Sequence, residues 1–103
     1  MTALDFLELD VFATGPFTGN PLAVVAGADD LNTEQMQRIA SWTNFSETTF
    51  LLRPTNPGAD YRVRIFSPVE EYQFAGHPTL GTARAFLELG GQPTRASGLI
   101  QEC

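Results

Sequence analysis

Phe74-Ala75-Gly76-His77-Pro78-Thr79-Leu80-Gly81 runs directly into Thr82-Ala83-Arg84-Ala85-Phe86-Leu87-Glu88-Leu89-Gly90. The order is a strand end, a glycine turn and then a helix over Pro78–Leu89. Pro78 fits the first helical position, where its missing N–H costs nothing and its fixed φ suits the helix. Gly90 and Gly91 supply the left-handed stop. The first turn then offers free backbone N–H groups and the positive end of the helix dipole, with little side-chain bulk at Gly76 and Gly81. A terminus of this kind suits a phosphate or a carboxylate. Apolar residues Leu80, Ala83, Ala85, Phe86, Leu87 and Leu89 occupy most of the circumference, and Arg84 and Glu88 can pair one turn apart. Small residues at Gly81, Thr82, Ala83 and Ala85 permit close approach by strands. A helix apolar on nearly every side is expected to be surrounded, as at the centre of a curled sheet.

Working outward from this helix, the pattern turns to strands. Leu4 to Ala13 alternates with both faces substantially apolar, and Leu22 to Ala26 is a short apolar second strand. Between them Thr14 to Pro21 is rich in turn formers. Asn32 to Trp42 reads as a helix in which Asn32 caps, Gln35 completes a capping box and Leu31 staples onto Met36. Its stripe is Met36, Ile39, Ala40 and Thr43, which lays it on a sheet. Further strands are expected at Thr48 to Arg53, Tyr61 to Phe66, Tyr72 to Ala75 and, incompletely, Leu99 to Glu102. Trp42 and the eight phenylalanines are expected in the core, and Glu70 and Glu71 in a solvated turn. The sum is an α+β fold: a curled sheet around the second helix, with the first helix lying outside it.

The 103 residues make one domain at most. A formal charge of −6, with no basic run, disfavours nucleic acid. All six basic residues are arginines, so Schiff-base chemistry, pyridoxal phosphate attachment and a P-loop are excluded. One histidine, His77, and one cysteine, Cys103, cannot build a zinc site unaided. No apolar run approaches a membrane span, and the N-terminus lacks a basic, apolar leader. The expectation is a cytoplasmic protein, with no membrane partner, no metal and no cofactor.

Four ordered motifs carry a resemblance. They are Asp10-Val11-Phe12 leading to Phe17-Thr18-Gly19-Asn20-Pro21-Leu22-Ala23-Val24-Val25, Ser46-Glu47-Thr48-Thr49-Phe50, Arg64-Ile65-Phe66-Ser67-Pro68 and Phe74 to Gly81. Together the sequence resembles the phenazine-biosynthesis PhzF family, which has the diaminopimelate-epimerase-like fold. That resemblance implies two pseudo-symmetric lobes, each a curled, barrel-like mixed β-sheet around a central helix, with the active site in the cleft between them. It implies cofactor-independent proton movement at carbon, isomerising or epimerising a small carboxylic acid. The match covers the N-terminal lobe, residues 1–103. The second lobe's helix terminus, usually in an Asp-Pro-Ala-Thr-Gly-Ser type motif, and its carboxylate do not occur in this sequence.

The candidate site follows residue by residue. Glu47 heads a buried strand; a carboxylate partly withdrawn from water holds a proton more readily, which suits it to taking one and returning it. On residue type alone a solvated strand-end glutamate is the commoner case, and the resemblance favours the proton carrier. His77, beside the helix start, is by itself a capping or packing residue; the resemblance implies a neutral imidazole that orients substrate and relays a proton. Backbone N–H groups in the turn from Gly76 to Thr79 would receive the substrate carboxylate, with Gly76 allowing close approach and Pro78 setting the turn. Asn20 would reach the same carboxylate or simply hold its turn, and Ser46 would bond substrate or satisfy the strand end. Cys103 is incidental. The lobe needs a partner, either a C-terminal lobe or a second copy forming a homodimer with two facing Glu47 side chains that share a proton. The alternative is a non-catalytic remnant or small-acid-binding module that self-associates.

Overall fold

The computed structural model describes residues 4–11, 14–73, 76–92 and 98–103, without the side chain of His77. Phe12, Phe74 and Ala75, and with them part of the opening motif, lie outside the described residues. Strand β1 (Asp5–Val11) and β2 (Asn20–Ala26) form an antiparallel pair with Asp10 opposite Pro21. A one-turn 3-10 helix (Ala28–Asp30) and helix α1 (Thr33–Thr43) then cross over to β3 (Glu47–Leu52), which lies parallel to β2 with Leu22 opposite Glu47. Strand β4 (Tyr61–Phe66) returns antiparallel to β3. Its outer edge is shared. β5 (Glu71–Tyr72) pairs with Ile65 and Phe66, while β6 (Gln101–Glu102) runs parallel to Tyr61 and Arg62. Between these two comes helix α2 (Gly76–Glu88).

The result is one mixed, six-stranded sheet that stays open. The α+β class and the mixed sheet with two helices match the sequence reading; closure into a barrel does not occur among the described residues.

Side-chain alternation sends each strand's residues to opposite faces. Val25, Phe50, Leu52 and Phe66 meet Met36 and Ala40 of α1 on one face, where Phe50 and Phe66 stack at 5.4 Å. Leu22, Val24 and Val11 meet Ala85 of α2 on the other. There Tyr61 packs on Phe86 with ring centroids 4.7 Å apart. The sheet is thus sandwiched between the helices, with short-range fit strongest at Gly81. A Cβ built there would lie 2.3 Å from Leu22 Cδ2 and 3.0 Å from Val11 Cγ2.

Helix α1 carries the capping box in full: Gln35 N–H donates to Asn32 Oδ1 at 2.8 Å and Asn32 N–H to Gln35 Oε1 at 2.9 Å. Trp42 departs from its expected place. It is 84% exposed, because it stands two residues from Ala40, some 200° around the helix from the buried stripe. Helix α2 begins at Gly76, so Pro78 is its third residue and not its first. The shift costs no hydrogen bond, since the first four N–H groups of a helix lack intrahelical acceptors anyway. At the other end Gly90 adopts φ +88°, and the N–H groups of Gly90 and Gly91 donate to the carbonyls of Leu87 and Phe86, closing the helix as a Schellman motif. Arg84 and Glu88 pair at 2.6 Å.

Other expectations are corrected by the register. Helix α2 is not surrounded here: Leu80 is 56% and Leu87 46% exposed on the side away from the sheet. Phe6 and Phe17 are exposed rather than core, and on the face of β1 away from α2 Phe6, Glu8 and Asp10 are all exposed. Asn20 and Pro21 belong to β2, not to the preceding turn. Glu71 does not sit in a solvated turn. Arg64 grips its carboxylate through two 2.8 Å bonds and also reaches Thr33 Oγ1, and the Arg64 hydrogen bond holds the Glu71 carboxyl below its ordinary range.

The C-terminal residues form a clasp. Asp60 N–H donates to the Ile100 carbonyl and Ile100 N–H to Asp60 Oδ2, both at 2.7 Å. Glu102 accepts from the N–H groups of Thr55 and Asn56 and from the Thr55 hydroxyl, and these bonds, the hydroxyl's first, hold its carboxyl below the usual range.

Candidate functional site

The parallel strands β2 and β3 begin at the same end of the sheet, which brings Asn20 and Glu47 together. Leu22 is opposite Glu47, so Asn20 stands two residues ahead of it on the neighbouring strand. Alternation puts Asn20, Leu22 and Val24 on the face shared with Glu47, Thr49 and Leu51. That is the α2 face, since Thr82 bonds Thr49 and Gly81 abuts Leu22.

Helix direction completes the placement. Contacts move from Leu22 and Thr49 at Gly81–Thr82 to Tyr61 at Phe86, so α2 runs with β2 and β3. Its first turn therefore projects toward the strand starts, with Gly76 about 7 Å beyond Gly81 along the axis. The open helix terminus, Glu47 and Asn20 share one end and one face of the sheet.

Within this end the residues differ in access. Glu47 is half-buried at the first position of β3, and Ser46 is exposed just ahead of it. Gly76 is exposed, and a Cβ built on it meets nothing within 4 Å. The N–H groups of Gly76 and His77 belong to the first helical turn, where no intrahelical carbonyl reaches them. Pro78 is fully buried, and its carbonyl accepts the Thr82 hydroxyl at 2.6 Å. Thr79 is half-buried with its Oγ1 3.5 Å from Gln101 Nε2, and Gln101 Oε1 accepts the Tyr61 hydroxyl at 2.9 Å. Burial pushes the Tyr61 phenol up to about 12, with the charges of Cys103 and Asp60 adding to it. Gly81 faces the sheet and not the open terminus; its missing side chain serves packing.

One carboxylate escaped the sequence reading. Asp10 Oδ1 accepts from Gly19 N–H at 2.7 Å and Oδ2 from Thr18 N–H at 3.2 Å. The Thr18 hydroxyl in turn accepts from the N–H groups of Thr14 and Gly15, both at 3.0 Å. Asp10 therefore fixes the loop that delivers Asn20 to the site. Its signal was present: an acid at a strand end followed eight residues on by Thr-Gly, a side chain able to satisfy loop donors. Among the described residues no group of three or more His, Cys, Asp or Glu side chains converges to hold a metal. None of the described helices is long and apolar enough to cross a membrane.

The sequence and the fold match known proteins. A family described as phenazine biosynthesis-like protein, PhzC-PhzF, matches residues 9–103. Antisense-enhancing sequence 1 of Schizosaccharomyces pombe is 50% identical over the whole chain, which covers 35% of that protein. Trans-2,3-dihydro-3-hydroxyanthranilate isomerase of Pseudomonas chlororaphis is 56% identical over 78% of the chain and 28% of its own length. A crystal structure of a PhzF-family phenazine biosynthesis protein from Bacillus anthracis superposes with a TM-score of 0.84 at 39% identity, over 99% of this chain and 33% of that one. The chain thus spans about a third of the relatives it matches. With the family matching residues 9–103 and the fold superposing on that of a family member over nearly the whole chain, the chain belongs to the PhzC-PhzF family of phenazine biosynthesis-like proteins.

Proposed function

We propose that this chain is the N-terminal lobe of an isomerase that moves a proton between carbons of a small carboxylic acid without a cofactor. The observation that carries the reading is the coincidence, at one end and one face of the sheet, of a half-buried carboxylate, Glu47, with an open helix terminus at Gly76. Relatives named as isomerases support the reaction class.

In this mechanism the substrate carboxylate rests on the N–H groups at the start of α2, with Asn20 and Ser46 beside it and Thr79 shaping the turn. Glu47 removes a proton from a carbon acidified by a neighbouring conjugated group, and the C–H electron pair enters that system. The same carboxyl returns the proton at another carbon, so the net change is isomerisation with no oxidant or reductant. The helix dipole stabilises the charge that develops on the anion. His77 orients the substrate and relays protons. The facing wall of the cleft belongs to a further lobe or a second copy. The exposed leucines of α2 support such a cover.

The test is Glu47→Gln in the competent assembly, followed by deuterium uptake from heavy water into trans-2,3-dihydro-3-hydroxyanthranilate, the acid named for the Pseudomonas relatives. Loss of exchange by a factor of about 100 or more is expected when the proton carrier is removed. Exchange at the wild-type rate would sink the mechanism.

A further inference from the structure

We infer that Thr49 and Thr82 are positioning residues that set the spacing between Glu47 and the start of α2; the inference rests on the function just proposed. Both side chains are completely buried. Their hydroxyl oxygens lie 2.8 Å apart, and the Thr82 oxygen is also 2.6 Å from the Pro78 carbonyl. A hydroxyl has one proton and two lone pairs, so one proton serves the carbonyl and the other closes the hydroxyl pair. The chain of bonds links the third residue of α2 to the strand position two beyond Glu47, on Glu47's own face.

The apolar fit between α2 and the sheet cannot fix this spacing alone. Burial of Leu22, Val24 and Ala85 is favourable over a range of small slides, because the hydrophobic effect has no direction. A buried hydroxyl pair does have direction, and a slide that breaks it leaves polar atoms without partners. The neighbouring residue repeats the device on the other face, where the Thr48 and Thr43 hydroxyls stand 3.4 Å apart. In the Ser46-Glu47-Thr48-Thr49 run, the two threonines anchor the strand start to both helices.

The decisive variant is the double substitution Thr49→Val with Thr82→Val. It keeps shape while removing both hydroxyls, so stability changes little when the partners go together. Thr82→Ser keeps the hydroxyl and serves as the conservative rescue. Melting temperature and steady-state kinetics on trans-2,3-dihydro-3-hydroxyanthranilate are measured for both, beside Glu47→Gln, in the whole enzyme that carries this lobe. The double valine variant is expected to melt within about 3 °C of wild type. Its KM should hold while kcat falls about 10- to 100-fold, the effect of misplacing a reacting group by a fraction of an ångström to one ångström. Thr82→Ser should keep kcat within about threefold. A double variant with wild-type kcat overturns the inference, as does a kcat loss that merely follows melting temperature across the set. If Glu47→Gln is inactive while the double variant is fully active, only this inference fails. If Glu47→Gln keeps turnover, the proposed function fails and takes the inference with it.

Discussion

Gly81 and Gly76 are five residues apart on α2 and answer opposite needs. Gly81 is pressed on the buried Leu22, so Gly81→Ala must push the helix or that leucine aside. A loss of about 1–3 kcal/mol in urea denaturation is expected, the usual cost of overpacking. Gly76 faces open space, so Gly76→Ala should leave stability equal or up to about 1 kcal/mol higher through helix propensity, while weakening binding of small acids. Calorimetric titration with the acid would check the second half; unaltered binding would remove Gly76 from the site. Tyr61 gives a third residue-scale expectation. Its phenol is raised, so the fold favours the protonated form. That contribution is complete below the ordinary tyrosine value of 10.0 and lost as pH rises toward about 12. Tyr61→Phe should flatten the alkaline limb of stability against pH, as followed by denaturant midpoints.

At the scale of elements, legibility followed locality. The α1 capping box was readable because Asn32 and Gln35 satisfy one another three residues apart, and Asn32→Ala should cost about 1 kcal/mol in thermal unfolding. The start of α2 was not readable to the residue. Proline is tolerated at any place in the first turn, so Pro78 marked a helix start without choosing among adjacent positions. Trp42 was misplaced by judging residue type over angle, since the stripe of Met36 and Ala40 already turned it outward. The pairing of Glu71 with Arg64 depended on β5 meeting β4, a contact between strands that no local pattern announces. Of the candidate site, the motifs pointed to Glu47 and to the helix terminus. The threonine bridge required the register that only the folded sheet supplies, whereas the Asp10 loop clamp left a local trace in Asp10 and Thr18-Gly19.

For the molecule as a whole, the all-round apolar character of α2 was legible, whereas its covering surface is not among the described residues. Leu80 and Leu87 of α2, and Leu89 just beyond its end, remain open to solvent. Exposed apolar groups so clustered favour association. Light scattering on the 11.2 kDa chain at micromolar concentration should therefore give a mass above that of one copy, and Leu80→Glu with Leu87→Glu should restore it. A wild-type chain that stays monomeric would argue against a covered α2.

The clasp between Asp60 and Ile100 has a kinetic meaning. It joins positions 40 apart, whereas β3 and β4 meet across a single short loop. Closing the longer loop costs more chain entropy before any bond repays it. The β6 half of the outer edge of β4 is thus expected to be completed late in folding and to open early in unfolding. Glu102 adds a trigger: its depressed carboxyl supports the clasp above the ordinary glutamate value of 4.5, and that support fades as acid protonates it. Acid is therefore expected to weaken the Glu102 bonds at this border, whereas the hydroxyl pairs that tie β3 to the two helices carry no group that titrates.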